Sequence, residues 1–301
     1  KKWDLQMVAI EQNGEKEKTE KSGRSGALPW IGEGMYKMNW TAPKGYKRAV
    51  LVFDGAMSQP VVTVNGKEAG KWAYGYNAFR IDITPFIQFG KKNLIEVHLN
   101  NVEESSRWYP GGGLYRPVSV ELYGNENFST WDTFVRTLKA DKQEAEVEVN
   151  ALLEGKAGKS GKTVIALLDE AGKKVAEQTV SGATPVVKTT LKVANPQLWS
   201  PESPYLYQVK LTRYEGKKVA DVQTLKTGIR TISVSKEYGF QLNGVTRKLK
   251  GVCLHHDLGP LGAAENKAAL IRQIKMMKQM GCDAIRTAHN MPSTMQMEIC
   301  D

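Results

Sequence analysis

The sequence has few cysteines, no long apolar run and no block of basic residues. Its three cysteines, Cys253, Cys282 and Cys300, all lie in the last fifth of the 301-residue chain, and no two have Cys-x-x-Cys spacing. An odd count without that spacing predicts free thiols and argues against a disulfide framework. No uncharged apolar stretch approaches the about 18 residues that a transmembrane helix needs, so no membrane span is expected.

The basic excess is scattered along the chain. Lys and Arg number 42 against 32 Asp and Glu, a formal net charge of +10, without a run of five or more basic residues. Nucleic-acid binding needs a concentrated basic surface, so nucleic acid is not expected as a partner. With 41% hydrophobic and 25% charged residues, the composition is that of a globular protein. At about 100 to 200 residues per domain, the length predicts two or three domains.

Two successive stretches have the pattern of β-sandwiches. Over residues 36–123, short alternating or β-branched runs are separated by turn residues, and Asn65-Gly66 predicts a hairpin because both central positions of a type I′ turn need positive φ. Residues 128–234 repeat the pattern, with strands about 10 residues apart and loops rich in Gly and Lys. That spacing predicts a small immunoglobulin-like sandwich.

The predicted secondary structure changes after Gly244, from strands alone to alternating strands and helices. A strand-like run at 248–255 precedes a helical pattern at 265–280, and a second strand follows at 284–288. Ser293-Thr294-Met295-Gln296 then has the pattern of a capping box that starts another helix. This order predicts a parallel βαβ unit, which cannot bury both faces of its sheet alone, so we expect the sequence to stop inside a domain.

Polar residues gather where these two strands end. The first strand is closed by His255, His256 and Asp257, and the second by Arg286, His289 and Asn290. In a (β/α)₈ barrel the carboxyl ends of the strands carry the active site, so the two groups are expected to face one pocket. The alternative is that these side chains only cap helices or bond to loops.

Two further chemistries have less support. His and Asp at the end of a barrel strand can ligate zinc. However, His255 and His256 are adjacent, so in an extended strand they point to opposite sides and could not both bind one ion. No Gly-x-Ser-x-Gly elbow accompanies a Ser/His/Asp triad, which argues against acyl transfer.

Several motifs, in family order, resemble glycoside hydrolase family 2, with the β-galactosidase branch the nearest likeness. The sugar-binding sandwich is matched by Asp54-Gly55, Val64-Asn65-Gly66-Lys67, Phe79-Arg80-Ile81-Asp82-Ile83-Thr84 and Ser106-Arg107-Trp108-Tyr109-Pro110-Gly111-Gly112-Gly113-Leu114-Tyr115-Arg116. The immunoglobulin-like domain is matched by Leu198-Trp199-Ser200-Pro201-Glu202-Ser203-Pro204-Tyr205-Leu206-Tyr207 and Gly228-Ile229-Arg230. The start of the catalytic barrel is matched by Gly239-Phe240-Gln241-Leu242-Asn243-Gly244, Lys250-Gly251-Val252-Cys253-Leu254-His255-His256-Asp257 and Ala284-Ile285-Arg286-Thr287-Ala288-His289-Asn290.

The resemblance implies a mainly β protein with three domains. Residues 1–125 would form a jelly-roll sugar-binding β-sandwich and residues 126–234 an immunoglobulin-like β-sandwich. Residues 235–301 would form the first β/α units of a TIM barrel, truncated.

The resemblance also implies a retaining glycosidase, β-galactosidase-like, that hydrolyses terminal O-glycosidic bonds. In the family both catalytic carboxylates are glutamates on later barrel strands, so we expect them to lie beyond this sequence and the 301-residue chain alone to be inactive. Carried over by position, His255, Arg286, His289 and Asn290 would line the sugar subsite, and Arg107 would border it.

Other readings stay open at this point. The chain could be a non-catalytic carbohydrate-binding or scaffolding protein, or, with less support, a metal-dependent hydrolase. The resemblance implies a carbohydrate substrate and is compatible with a homo-oligomer. It implies no cofactor or metal, although a divalent or monovalent cation in the complete site stays open. The sequence starts at Lys1 without an initiator Met or an apolar signal region, so we expect either that a signal peptide has been removed or that the sequence begins inside a longer protein. A periplasmic or secreted location is slightly favoured over a cytoplasmic one.

Overall fold

A computed structural model describes residues 8–12, 15–19, 32–101, 112–155, 161–182, 184–256 and 258–301. Its contacts divide the chain into two compact units. The first comprises Lys1–Leu122 with Lys250–Cys300, and the second comprises Tyr123–Leu249 with Asp301. The mainly β fold class is confirmed, whereas the division into three domains stays a prediction.

The first unit contains a β-sandwich. Its strands are β1 (Val8–Gln12), β2 (Glu15–Thr19), β3 (Gly32–Thr41), β4 (Arg48–Phe53), β5 (Val61–Val64), β6 (Lys67–Lys71), β7 (Phe79–Asp82), β8 (Lys92–Asn101) and β9 (Val118–Tyr123). One sheet has the order β3-β8-β5-β6 and the other β7-β4-β9, while β1 and β2 form a separate antiparallel pair. Buried residues from both sheets, such as Leu51, Phe79 and Val97, form one core. This shared apolar core holds the sheets face to face.

The predicted hairpin is confirmed. Strands β5 and β6 pair antiparallel around Asn65 and Gly66, whose φ angles are 51° and 77°. The Asn65 amide also donates hydrogen bonds of 2.9 Å to the Phe86 carbonyl and to Asn93 Oδ1. The turn is therefore fixed both by its own backbone preference and by a neighbouring loop.

The second unit is another β-sandwich, with a small sheet after it. Its strands are β10 (Glu126–Phe128), β11 (Phe134–Ala140), β12 (Glu144–Gly155), β13 (Gly161–Leu168), β14 (Lys174–Ser181), β15 (Val186–Ala194), β16 (Tyr207–Glu215), β17 (Lys218–Thr227), β18 (Ile232–Ser235), β19 (Gly239–Leu242) and β20 (Val245–Thr246). β12 pairs with β10, β11 and β15, and the facing sheet has the order β14-β13-β16-β17. The core between them includes Val147, Ile165, Leu191 and Leu211, all with 0% exposure.

An ion pair joins the two sheets of this sandwich. Arg213 on β16 lies 3.0 Å from Glu126 on β10, and the two side chains are 1% and 2% exposed. Arg213 also donates to Thr163 Oγ1 at 3.4 Å. The guanidinium fits against Gly161, where an added Cβ would lie 2.0 Å from Nη2. Because neither charged group reaches water, each relies on the opposite charge of the other to offset the free-energy cost of its burial.

The predicted parallel βαβ unit is present at the end of the chain. It consists of β21 (Gly251–Leu254), α1 (Lys267–Gln279) and β22 (Ala284–Thr287), and is followed by α2 (Thr294–Cys300). The Asn266 side chain caps α1 by accepting from the Ala269 amide, and Ser293 Oγ accepts from the Gln296 amide at 3.1 Å, as the capping box predicts. Whether this unit starts a TIM barrel stays a prediction. Among the described residues, no helix is long and apolar enough to cross a membrane.

The Glu126–Arg213 pair predicts a large stability effect. In Glu126→Ala, Arg213 would be left charged and buried without a counter-charge, so we expect the free energy of unfolding to fall by about 3–5 kcal/mol. Urea unfolding followed by circular dichroism measures this. Glu177→Ala is the control, because it removes an exposed partner of Lys174 and should cost about 1 kcal/mol or less. Equal losses in both variants would contradict the prediction.

Candidate functional site

Two histidines emerge side by side from the parallel strands. β21 and β22 pair Leu254 with Thr287, and the Ala288 amide extends the pairing with a 2.8 Å bond to the Leu254 carbonyl. His255 and His289 therefore leave the same edge of the sheet. Their rings are perpendicular, with centroids 5.5 Å apart. We call the edge formed by His255, Arg286, His289 and Asn290 the strand-end edge.

Arg286 lies within β22, whereas the sequence suggested that it closes the strand. It pairs with Cys253 in the register, and its Nη1 lies 3.9 Å from the Cys253 sulfur. Side chains alternate along a strand, so Arg286 shares a sheet face with Cys253. The residue is exposed, which leaves its guanidinium accessible to a ligand.

Asn290 is held by the first sandwich. The Tyr74 hydroxyl, in the segment after β6, donates a hydrogen bond to Asn290 Oδ1. Tyr74 is 48% exposed, so this contact lies at the surface of the strand-end edge. Of the sequence-predicted site residues, Arg107 lies outside the described residues, as does its neighbour Trp108.

His256 has different neighbours from His255. Its φ of 56° is in the left-handed region, and its ring packs against Tyr76 with centroids 5.4 Å apart. Its Nδ1 lies 3.3 Å from Nη2 of Arg116. Since arginine only donates, Nδ1 accepts and the neutral ring carries its proton on Nε2. Asp257, the third residue of that group, lies outside the described residues.

Arg116 connects several segments near this edge. It is only 6% exposed, and its Nη1 donates to the carbonyl oxygens of Asp54 at 3.1 Å and Tyr76 at 3.2 Å. Its Nη2 donates to the carbonyl oxygen of Met291 at 3.1 Å and faces His256. One guanidinium thus binds two loops of the sandwich and the segment that carries His289.

The pKa values of three titratable groups near Arg116 are shifted by their own burial and by the Arg116 charge. Burial, together with the positive charges of Arg116 and His255, lowers the pKa of His256 to about 4. Burial raises the pKa of the Glu265 and Asp54 carboxyls, although the Arg116 charge opposes the rise in both. The Glu265 amide donates to the Tyr115 carbonyl at 2.8 Å, which fixes the start of α1 beside this cluster.

Sequence reasoning missed Arg116 and Tyr74. The only local signal for Arg116 was its place after the Gly-rich run, between Tyr115 and Pro117, where a charged residue interrupts an otherwise uncharged segment. Tyr74 had no signal, because its partner lies 216 residues further along the chain. The strand-end edge therefore presents the exposed Arg286 and His289 beside the half-buried His255, and the segment after His289 is held by hydrogen bonds from Arg116 and Tyr74.

Comparisons with known proteins identify relatives of this chain. The model of the family described as Glycosyl hydrolases family 2 matches residues 129–230. A beta-galactosidase of Bacteroides ovatus, BoGH2A, is 35% identical over 92% of this chain and 34% of its own length. A putative beta-glucuronidase of Formosa agariphila is 37% identical over 99% of this chain and 29% of its own length.

Solved structures agree in fold. A family 2 member from Bacteroides cellulosilyticus superposes with a TM-score of 0.87 at 36% identity, covering 93% of this chain and 37% of that one. A beta-glycosidase from Bacteroides vulgatus gives a TM-score of 0.86 at 31% identity, covering 98% of this chain and 38% of that one. The chain thus spans about a third of the length of the curated relatives it matches.

The half-buried position of His256 beside Arg116 predicts an unusually low titration midpoint. In a ¹H NMR titration of the four histidines, we expect the His256 Hε1 resonance, assigned by its loss in His256→Asn, to have a midpoint near 4. Because the pKa is lower in the folded state than in the unfolded chain, at about 6.5, the neutral ring favours folding above pH 6.5. That contribution is lost as the pH falls toward 4. A midpoint at or above 6.5 would show that the ring is neither buried nor beside Arg116.

Proposed function

We propose, because the chain belongs to glycoside hydrolase family 2, that the complete protein is a retaining β-glycosidase and that the strand-end edge binds the terminal sugar of its substrate. One observation carries this proposal. His255 and His289 leave adjacent parallel strands at the same edge and pack ring against ring, with the exposed Arg286 on the second of those strands. The carboxyl ends of parallel strands are where (β/α)₈ enzymes place substrate groups.

The substrate class rests on the relatives. A protein named beta-galactosidase and one named putative beta-glucuronidase match this chain at 35% and 37% identity. We take a terminal β-galactoside as the first substrate to test and a β-glucuronide as the second. The two sugars differ at C6, which carries a hydroxyl in galactose and is a carboxylate in glucuronic acid, and at C4, whose hydroxyl is axial in galactose and equatorial in glucuronic acid.

Each residue of the edge has a chemical task in this proposal. His255 and His289 would hydrogen-bond sugar hydroxyls, and the permanently charged Arg286 would stabilise negative charge beside the ring. Asn290 would offer its amide, oriented by the Tyr74 hydroxyl. A retaining mechanism also needs an acid and a nucleophilic carboxylate about 5 Å apart, which we assign to the part of the protein beyond these 301 residues.

Substitutions at the edge test its role in the complete protein. We expect Arg286→Ala and His289→Ala each to lower kcat/KM by about 10²-fold or more, because each removes a group that stabilises charge or handles a proton. Steady-state kinetics with 4-nitrophenyl β-galactoside and β-glucuronide measure this. Lys217→Ala, in the turn between β16 and β17, is the control and should leave kcat/KM unchanged. Unchanged kinetics in both test variants would instead favour a capping role for these residues.

The 301-residue chain alone provides a second test. We expect no hydrolysis of chromogenic β-glycosides by this chain, since the carboxylate pair is assigned elsewhere in the complete protein. Turnover that persists through repeated purification and follows the concentration of the chain would refute that assignment.

A further inference from the structure

The segment that carries His289 and Asn290 is tied to the first sandwich by two side chains. Arg116 donates to the Met291 carbonyl at 3.1 Å, and Tyr74 donates to Asn290 Oδ1. We propose that Arg116 and Tyr74 are positioning residues, through which the first sandwich holds residues 289–291 in the geometry that sugar binding requires. This inference rests on the proposed function of the strand-end edge.

Arg116 is unsuited to binding the substrate itself. It is 6% exposed, and both of its terminal nitrogens already have two partners each within 3.3 Å. Three of the four partners are main-chain carbonyl oxygens, which fix backbone positions. A side chain that is this buried, with both terminal nitrogens bound, is expected to act on a ligand through the segments that it holds.

Arginine is required for this arrangement because of its shape. Its planar guanidinium presents five N–H donors in a fixed fork and stays charged, whereas the lysine ammonium is a compact point charge. A lysine at position 116 would keep the positive charge beside His256. It could not hold the carbonyls of Asp54, Tyr76 and Met291 in the directions that the fork provides. Charge and geometry can therefore be separated experimentally.

The segment between β6 and β7 links both contacts. Tyr74 packs against Tyr76 with ring centroids 5.7 Å apart, and Tyr76 packs against His256 at 5.4 Å. The Tyr76 carbonyl is also one of the acceptors of Arg116. A shift of either tyrosine is therefore expected to reach the backbone beside His289, either through Asn290 or through Arg116.

Kinetics of the complete protein give the first test, with Arg116→Lys and Tyr74→Phe as variants. Misplacement of binding groups by about 1 Å can cost about 10²-fold in rate. We expect kcat to fall about 10- to 100-fold in Arg116→Lys and about 3- to 10-fold in Tyr74→Phe, with KM changed less than kcat. Arg80→Lys is the matched control, because Arg80 pairs with Glu121 within the sandwich. Tyr46→Phe, at another exposed tyrosine, controls for the loss of a hydroxyl.

NMR of the 301-residue chain gives a readout that does not depend on activity. We expect the backbone amide resonances of residues 289–291 to shift in Arg116→Lys and Tyr74→Phe but not in Arg80→Lys or Tyr46→Phe. The His256 midpoint should stay well below 6.5 in Arg116→Lys, which keeps the charge, and should rise in Arg116→Met, which removes it. Tyr74 is exposed, so Tyr74→Phe decides the question even if the Arg116 variants fail to fold.

The outcomes separate the two proposals. A folded Arg116→Lys and a folded Tyr74→Phe with unchanged 289–291 resonances and unchanged kinetics would overturn the positioning role. Shifted resonances with unchanged kcat and KM in an active protein would overturn it as well. A wild-type complete protein without glycosidase activity would overturn the proposed function, and the amide shifts would still decide whether the sandwich holds the segment.

Discussion

In the first unit, the position of the candidate site depends on one buried guanidinium, that of Arg116. Arg116 cannot lose its charge, so its donors must find acceptors inside the protein, and three backbone carbonyls together with the His256 ring bind its two terminal nitrogens. The three carbonyls come from the bend after β4, from the segment between β6 and β7, and from the segment after β22. Leaving any of them unpaired would be costly at this depth, so all three segments are held together.

This constraint gives the two sandwiches different roles. The first sandwich supports the proposed sugar site directly, because Arg116 and Tyr74 reach the residues that follow β22. The second is stabilised by its own apolar core and by the Glu126–Arg213 pair. A substitution in the second sandwich should therefore act through stability, whereas one at the exposed Tyr74 should act on the site with little loss of stability and one at the buried Arg116 should affect both.

Local patterns predicted most of the elements. The Asn65-Gly66 turn, the Ser293 cap and the βαβ unit each depend on neighbouring residues, and the structure contains all three. The convergence of His255 and His289 followed from strand direction alone. The contacts of Arg116 and Tyr74 could not be predicted, because they join residues 175 and 216 positions apart and arise only when the segments pack. The second strand was predicted to end at residue 288 and ends at Thr287, since strand ends are poorly marked in sequence.

A crystal structure of the complete protein with a bound galactose-like inhibitor tests the central claim most directly. The account predicts that sugar hydroxyls lie within hydrogen-bond distance of His255 or His289 and of Arg286, while Arg116 remains bonded to the Met291 carbonyl and touches no sugar atom. A sugar bound away from the strand-end edge, or one that displaces Arg116 from Met291 to contact its guanidinium, would contradict it.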